Sequence, residues 1–195
     1  LTFEEAYIEA SKIAHILIER YGIQVGDRVA ISMRNYPEWI LTFMAITSIG
    51  GVAVAMNSLW KPDEMSYGLT DSGAKLLVAD EERIDRFNQI DEKLEISIIS
   101  VRAIKEYAYD SLEALLKRAT ESNMPEQRPL PESDATILYT SGSTGHPKGV
   151  VSCHVNIIHA LLGWELEQHC AVALLDEPPP EPPDSPATLL AVPLF

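Results

Sequence analysis

Short apolar runs alternate with helix-like segments over the first 120 residues of this chain. Four of the runs are typical of β-strands: GDRVAISM, GVAVAM, AKLLVAD and EISIISV. The segments between them carry helical periodicity or residues that begin and end helices. Parallel strands are joined by crossover helices, and these cover both faces of the sheet. The alternation therefore predicts the α/β fold class, with a mostly parallel sheet flanked by helices.

Residues that start and stop helices bound most of the predicted helices. Near the beginning of the chain, Thr2 and Glu5 have the spacing of a capping box, and Gly22 can end the helix after them. The next two helices each have a proline in the first turn and a glycine after the end. These residues are Pro37 with Gly50, and Pro62 with Gly73. Two further helices are predicted, one from Glu81 and one near residues 111–119.

Two polar segments interrupt this rhythm. TESNMPEQRPLPES predicts a linker over residues 121–133, between an N-terminal α/β subdomain (1–120) and a second α/β segment (134–195). DEPPPEPPDSP predicts an extended polyproline connector; an SH3-type ligand is the alternative, but the run carries no Lys or Arg. The chain begins at Leu1 and stops within the apolar run AVPLF. Both parts are therefore expected to belong to one larger, truncated domain.

The charge balance disfavours several kinds of partner. The 15 Lys and Arg residues against 29 Asp and Glu residues give a net charge of −14, which disfavours nucleic acid and anionic membranes. No apolar run approaches the roughly 20 residues that a transmembrane helix needs. Cys153 and Cys170 are the only cysteines, too few for a disulfide framework. The sequence therefore predicts a cytoplasmic protein without a transmembrane segment; it leaves the oligomeric state open.

The segment YTSGSTGHPKGVV, residues 139–151, concentrates glycines, hydroxyls and one lysine. DATILYT before it and GVVSC after it predict two strands, so residues 140–149 are expected to form a loop between them. Glycines let backbone N–H groups turn toward a bound anion, hydroxyls add donors, and the lysine adds a positive charge. The loop is therefore predicted to bind phosphate through Thr140, Ser141, Gly142, Ser143, Thr144, Gly145 and Lys148.

This loop differs from the P-loop of many nucleotide-binding proteins. That motif reads G-x-x-x-x-G-K-[ST] and leads directly into a helix, whereas Lys148 here lies between Pro147 and Gly149. A flexible Ser/Gly turn without a ligand is the alternative interpretation. The Pro-Lys-Gly sequence behind the turn favours phosphate binding.

YTSGSTGHPKGVV resembles the signature loop of the adenylate-forming superfamily, which includes acyl-CoA synthetases, luciferases and peptide-synthetase adenylation domains. Four other stretches are similar to the same N-terminal region of these enzymes: residues 1–40, GGVAVAMN, LTDSGAKLLVAD and PATLLAVPLF. The resemblance covers nearly the whole chain, but only the front part of the family's large N-terminal domain.

The resemblance implies a two-step reaction with ATP, Mg²⁺ and coenzyme A. A carboxylic acid is first activated by ATP to an acyl-adenylate, and the acyl group then passes to the thiol. The loop would hold the outer phosphates of ATP. The family's base, ribose and hinge motifs and its C-terminal lysine would lie after Phe195, so no catalytic residue can be assigned. The chain alone is expected to be inactive.

Some residues depart from the family pattern or have ordinary explanations. Cys153, in CHVN, stands where the family often has threonine. His154 is interpreted as a structural residue at a helix start. His15, His159 and His169 lack metal-ligand spacing, and no metal site is predicted. The stretch RNYPEW is interpreted as a helix entrance.

Three functions remain open at this level. The leucine-rich LLAVPLF favours an acyl-CoA synthetase that acts on a fatty acid or a related carboxylate, by family analogy. A non-catalytic module that binds nucleotide or phosphate is one alternative. An amino-acid-activating adenylation domain is the other.

Overall fold

The computed structural model describes residues 1–140 and 147–175, together with Leu194. Helices and strands alternate along these residues. The helices are α1 (Phe3–Glu19), α2 (Pro37–Ser48), α3 (Pro62–Ser72), α4 (Glu81–Phe87), α5 (Leu112–Leu116) and α6 (His154–Ala173). The strands are β1 (Arg28–Ser32), β2 (Val52–Ala55), β3 (Leu76–Asp80), β4 (Ser97–Val101), β5 (Asp110–Ser111), β6 (Asp134–Thr140) and β7 (Lys148–Cys153).

The described strands form a seven-stranded sheet in the order β5-β4-β3-β1-β2-β6-β7. Five of the six neighbouring pairs are parallel, and the pair of β6 with β7 is antiparallel. The central strand β1 aligns Val29 with Ala53 of β2 and with Leu76 of β3. The predicted fold class, a mostly parallel sheet in an α/β protein, is confirmed.

Helices cover both faces of this sheet. On one face, residues of α1, α2 and α5 share a buried cluster with Val29 and Ile31 of β1. On the other face, residues of α3 and α4 share a second cluster with Ala30 of the same strand. Because alternate residues of a strand point to opposite faces, a strand covered on both sides must be apolar throughout, and β2 and β3 are buried along their whole length.

The helix ends agree with the predicted signals, with shorter bounds in two cases. Thr2 and Glu5 form the capping box of α1, and Gly73 ends α3 in the left-handed conformation. Helix α1 ends at Glu19, ahead of Gly22, whose N–H instead closes the turn onto the carbonyl of Ile18. The helix predicted near residues 111–119 is limited to α5, and the residues after it form turns. The short strand β5 was not predicted.

The segment at residues 121–133 has no helix or strand and lies against α1. The N–H of Met124 donates to the hydroxyl of Tyr7 at 3.2 Å, and Nε2 of His15 lies 3.2 Å from the carbonyl oxygen of Asn123. Strand β6, which comes after this segment, pairs with β2 of the first part of the chain. The proposed division at this segment stays a prediction. The polyproline connector at residues 176–186 lies outside the described residues.

None of the helices in the described ranges combines the length and the apolar character that crossing a membrane would require.

A buried ion pair joins the end of β3 to the start of α4. The guanidinium of Arg83 lies 3.2 Å from the carboxylate of Asp80, and both residues are almost completely buried. Arg83 Nε also donates to the carbonyl of Ser58 at 2.8 Å. Asp80 in turn accepts from the backbone N–H groups of Arg83 and Arg34. The pair therefore connects the residues that come after β1, after β2 and after β3.

Asp80→Ala is expected to lower the free energy of unfolding by about 3–5 kcal/mol, because it removes the buried carboxylate that caps α4 and leaves the buried Arg83 guanidinium with the half-exposed Glu82 as its remaining ion pair. Asp85→Ala is the control, since Asp85 pairs with Lys105 at the surface and such pairs contribute about 1 kcal/mol or less. Urea unfolding of both variants measures the difference. Equal losses in the two variants would contradict the assigned role of the buried pair.

The hairpin of β6 and β7 has room for a glycine and no larger residue at position 149. A Cβ on Gly149 would lie 2.9 Å from Cγ2 of Ile137 and 3.4 Å from Cζ of Tyr139. A methyl group there would push β7 away from β6, because a β-branched side chain cannot swing aside.

Gly149→Ala is expected to destabilise the protein by about 1–3 kcal/mol through overpacking. Gly163→Ala provides the matched control: position 163 lies within α6 and a Cβ there meets no atom within 4 Å. The control should stabilise by up to about 1 kcal/mol, since alanine is the better helix former. Thermal unfolding of both variants should give melting temperatures that move in opposite directions; a shift of the same sign would refute the packing argument.

Candidate phosphate-binding hairpin

Strands β6 and β7 carry the glycine-rich segment between them. They pair antiparallel up to Thr140 and Lys148, whose Cα atoms are direct partners across the hairpin. The prediction of two flanking strands is confirmed, but the strands reach further than predicted: Thr140 belongs to β6, and Lys148 and Gly149 belong to β7, not to the loop. The reason is that the antiparallel pairing of β6 with β7 continues as far as Thr140 and Lys148. Residues 141–146 lie outside the described residues, and with them Ser141, Gly142, Ser143, Thr144 and Gly145.

The direction of β6 places this hairpin at a defined edge of the sheet. Strand β6 pairs parallel with β2, with Thr136 opposite Ala53 and Leu138 opposite Ala55. Thr140 therefore lies at the carboxyl edge of the parallel strands. Ligands of open α/β sheets bind outside this edge. The side chains of Thr140 and Lys148 are both exposed there, where they can donate to an anion.

Tyr139 attaches the end of β6 to helix α3. Its hydroxyl lies 2.7 Å from Oδ2 of Asp71 and 3.2 Å from the carbonyl oxygen of Gly68. Its ring meets the ring of Trp60 edge-on, with 5.2 Å between the centroids. Burial, together with the hydrogen bond to Asp71, raises the pKa of Tyr139, so the hydroxyl keeps its proton. No sequence pattern signals this contact, because its partners come from distant segments.

The residues after β7 begin a helix, as the sequence predicted for His154. The preceding residue, Cys153, is the N-cap of α6, and its backbone N–H donates to Oδ1 of Asn156 at 3.2 Å. The Cys153 thiol lies 2.9 Å from the same oxygen. Nε2 of His154 is buried and has no hydrogen-bond partner among the described residues. These contacts give Cys153 a local structural role.

A cleft of about 320 Å³ lies at the ends of β1, β3 and β4. Arg34 and Arg102 line it, but each faces a carboxylate. Arg34 pairs with Glu82 at 3.0 Å, and Arg102 pairs with Glu38 at 3.0 Å. Its positive charges are thus balanced within the protein. The stretch RNYPEW contributes Arg34 and Tyr36 to the lining of this cleft. It leads into α2 at Pro37, which confirms its interpretation as a helix entrance.

His15 and His169 each have a contact one turn away on their own helix. His15 pairs with Glu19 at 3.1 Å, one turn further along α1. Nδ1 of His169 lies 2.9 Å from the carbonyl oxygen of Glu165 in α6. Within the two described ranges, no group of three or more His, Cys, Asp or Glu residues is placed to hold a metal ion.

Known proteins are similar to this chain in both sequence and fold. The benzoate–CoA ligase of Thauera aromatica is 33% identical over 162 residues, which cover 81% of this chain and 30% of that protein. Fatty acyl-CoA synthetase A of Dictyostelium discoideum is 27% identical over 174 residues, which cover 84% of this chain and 26% of that protein.

Among solved structures, an anthranilate CoA ligase in complex with anthranoyl-AMP superimposes with a TM-score of 0.80 at 25% identity, over 85% of this chain and 32% of that one. The chain thus spans about a third or less of the length of these relatives. The family model described as AMP-binding enzyme matches residues 1–195. On this match over its full length, the chain belongs to the family of AMP-binding enzymes.

Proposed function

We propose that this chain is the N-terminal part of an acid–thiol ligase and supplies its phosphate-binding hairpin. The observation that carries the proposal is the position of Thr140 opposite Lys148 at the carboxyl edge of the sheet, in a chain of the AMP-binding family. Its relatives include CoA ligases and a CoA synthetase. The shared fold supports the same reaction class for the complete protein.

The proposed reaction has two steps. A carboxylate oxygen attacks the α-phosphorus of ATP, the bond between that phosphorus and the α,β-bridging oxygen breaks, and pyrophosphate leaves with the electron pair. The sulfur of coenzyme A then attacks the acyl carbon, AMP leaves with the acyl–oxygen electron pair, and the thiol loses its proton. Mg²⁺ enters as part of the substrate, bound to the phosphates of ATP.

The hairpin is proposed to bind the outer phosphates during the first step. Negative charge grows on the departing pyrophosphate, and preorganised donors stabilise such charge in the transition state. Thr140 offers a hydroxyl and Lys148 an ammonium group. Ser141, Gly142, Ser143, Thr144 and Gly145 are proposed to complete the donor set.

The acid substrate is proposed to be a fatty acid or a related carboxylate. One relative is named for fatty acyl groups and another for benzoate, which supports an organic acid but leaves its size open. An amino-acid-activating domain and a non-catalytic phosphate-binding module are the alternatives. ATP–pyrophosphate exchange with a panel of fatty, aromatic and amino acids separates the three. A cytoplasmic location stays a prediction from the low cysteine content.

Lys148→Ala in the complete protein is expected to slow ATP–pyrophosphate exchange by about 10²–10³-fold, or about 2.7–4 kcal/mol, since it removes a charged donor to the leaving group. The matched control is Lys117→Ala, which removes an exposed lysine at the end of α5. Cys153→Thr should be nearly neutral, because threonine can also act as an N-cap. Exchange is measured at saturating carboxylate.

An unchanged rate for Lys148→Ala would remove the phosphate role from this lysine. An equal loss of exchange rate in the Lys117 variant would show that the loss of any surface positive charge has this effect.

A further inference from the structure

The end of β6 extends past the strand that anchors it. The pairing of β2 with β6 stops at Ala55 and Leu138. Tyr139 and Thr140 continue beyond this point, with register partners only on β7, namely Gly149 and Lys148. β7 is the edge strand of the described sheet. Backbone pairing therefore holds the tip of the hairpin only between β6 and β7, and does not connect it to the rest of the sheet.

Tyr139 supplies the missing connection to the body of the protein. Its hydroxyl reaches Asp71 at 2.7 Å and Gly68 at 3.2 Å, both on α3. A phenol that donates to a carboxylate forms a stronger and more directional bond than a neutral pair. The residue next to the candidate phosphate site is thus fixed to a helix on one face of the sheet.

The surroundings of the Tyr139 ring are shaped to admit it. Gly149 is its partner on β7, and even a methyl group at that position would lie 3.4 Å from Tyr139 Cζ. Trp60 stands edge-on to the ring and is itself seated on Gly68, where a Cβ would lie 2.4 Å from Trp60 Cζ3. Gly68 therefore makes room for the indole of Trp60, against which the Tyr139 ring stands.

We propose that Tyr139 is a positioning residue for the phosphate site. Its hydrogen bond to Asp71 fixes the end of the hairpin on α3 and thereby sets where Thr140 and Lys148 meet the phosphates. This inference rests on the proposed function, but the anchoring itself can be measured without any activity.

The test compares Tyr139→Phe and Asp71→Ala with Tyr107→Phe in the complete protein. Tyr107 is a matched control, since its hydroxyl donates to Asp85 at the same 2.7 Å, and its partners in that contact lie on α4, away from the hairpin. Hydrogen–deuterium exchange is measured in peptides that cover residues 136–140 and 147–152. KM for ATP and kcat are measured separately by pyrophosphate exchange.

Tyr139→Phe and Asp71→Ala should each speed amide exchange in both peptides and raise KM for ATP by about tenfold, the effect of one hydrogen bond to a charged group. The double variant should be no worse than either single one, since both remove the same contact. Asp71→Asn keeps an acceptor oxygen and should restore most of the wild-type KM. The Tyr107 variant should change neither quantity.

Unchanged amide exchange in Tyr139→Phe overturns the proposal, whatever the enzyme assay gives. Faster amide exchange with an unchanged KM for ATP overturns it as well, because the bond would then be structural only. Lys148→Ala separates this result from a failure of the proposed function: if that variant is fully active, the phosphate role of the hairpin is lost along with the positioning role.

Discussion

The central strands of the sheet are buried on both faces, and this constraint governs the rest of the fold. Val29, Ala30 and Ile31 of β1 have no exposed surface, so their backbone groups must pair with β2 and β3 and their side chains need cover on two sides. Helices α1 and α2 provide that cover on one face and α3 on the other. The crossovers that place the helices there also bring all the parallel strands to end at one edge. Because β6 pairs in parallel with β2, the tip of the hairpin lies at the same edge.

Part of the negative charge of the chain lies at the N-termini of helices. Each of the first five helices carries acidic residues in its first turn, where the helix dipole favours them. Helix α6, which comes after the hairpin, has none. Near the tip of β6, Asp71 accepts the Tyr139 hydroxyl. In a chain with a net charge of −14, phosphate binding at the tip of the hairpin depends on local donors such as Thr140 and Lys148.

The alternation of elements could be predicted from the sequence because it depends on local periodicity and on helix-end residues such as Pro37 and Gly73. The hairpin could be predicted for the same reason. The strand order could not, since a pattern of residues does not say that β6 lies beside β2. The contact of Tyr139 with Asp71 joins residues that are distant in the chain, and so does that of Arg83 with Ser58. Only the fold reveals that these polar side chains have partners.

The proposed phosphate site differs physically from a P-loop in the element that comes after the lysine. A P-loop leads into a helix whose N-terminal N–H groups and dipole face the anion. Here the chain continues from Lys148 as strand β7, and α6 begins only at His154, after the strand has ended. Because no described helix begins directly after the lysine, side-chain donors and the lysine charge must supply more of the stabilisation. The end of the hairpin is also paired on one side only, because the pairing of β6 with β2 stops at Leu138 while the pairing with β7 continues to Thr140. An additional anchor such as Tyr139 is therefore what a phosphate site built on a hairpin would require.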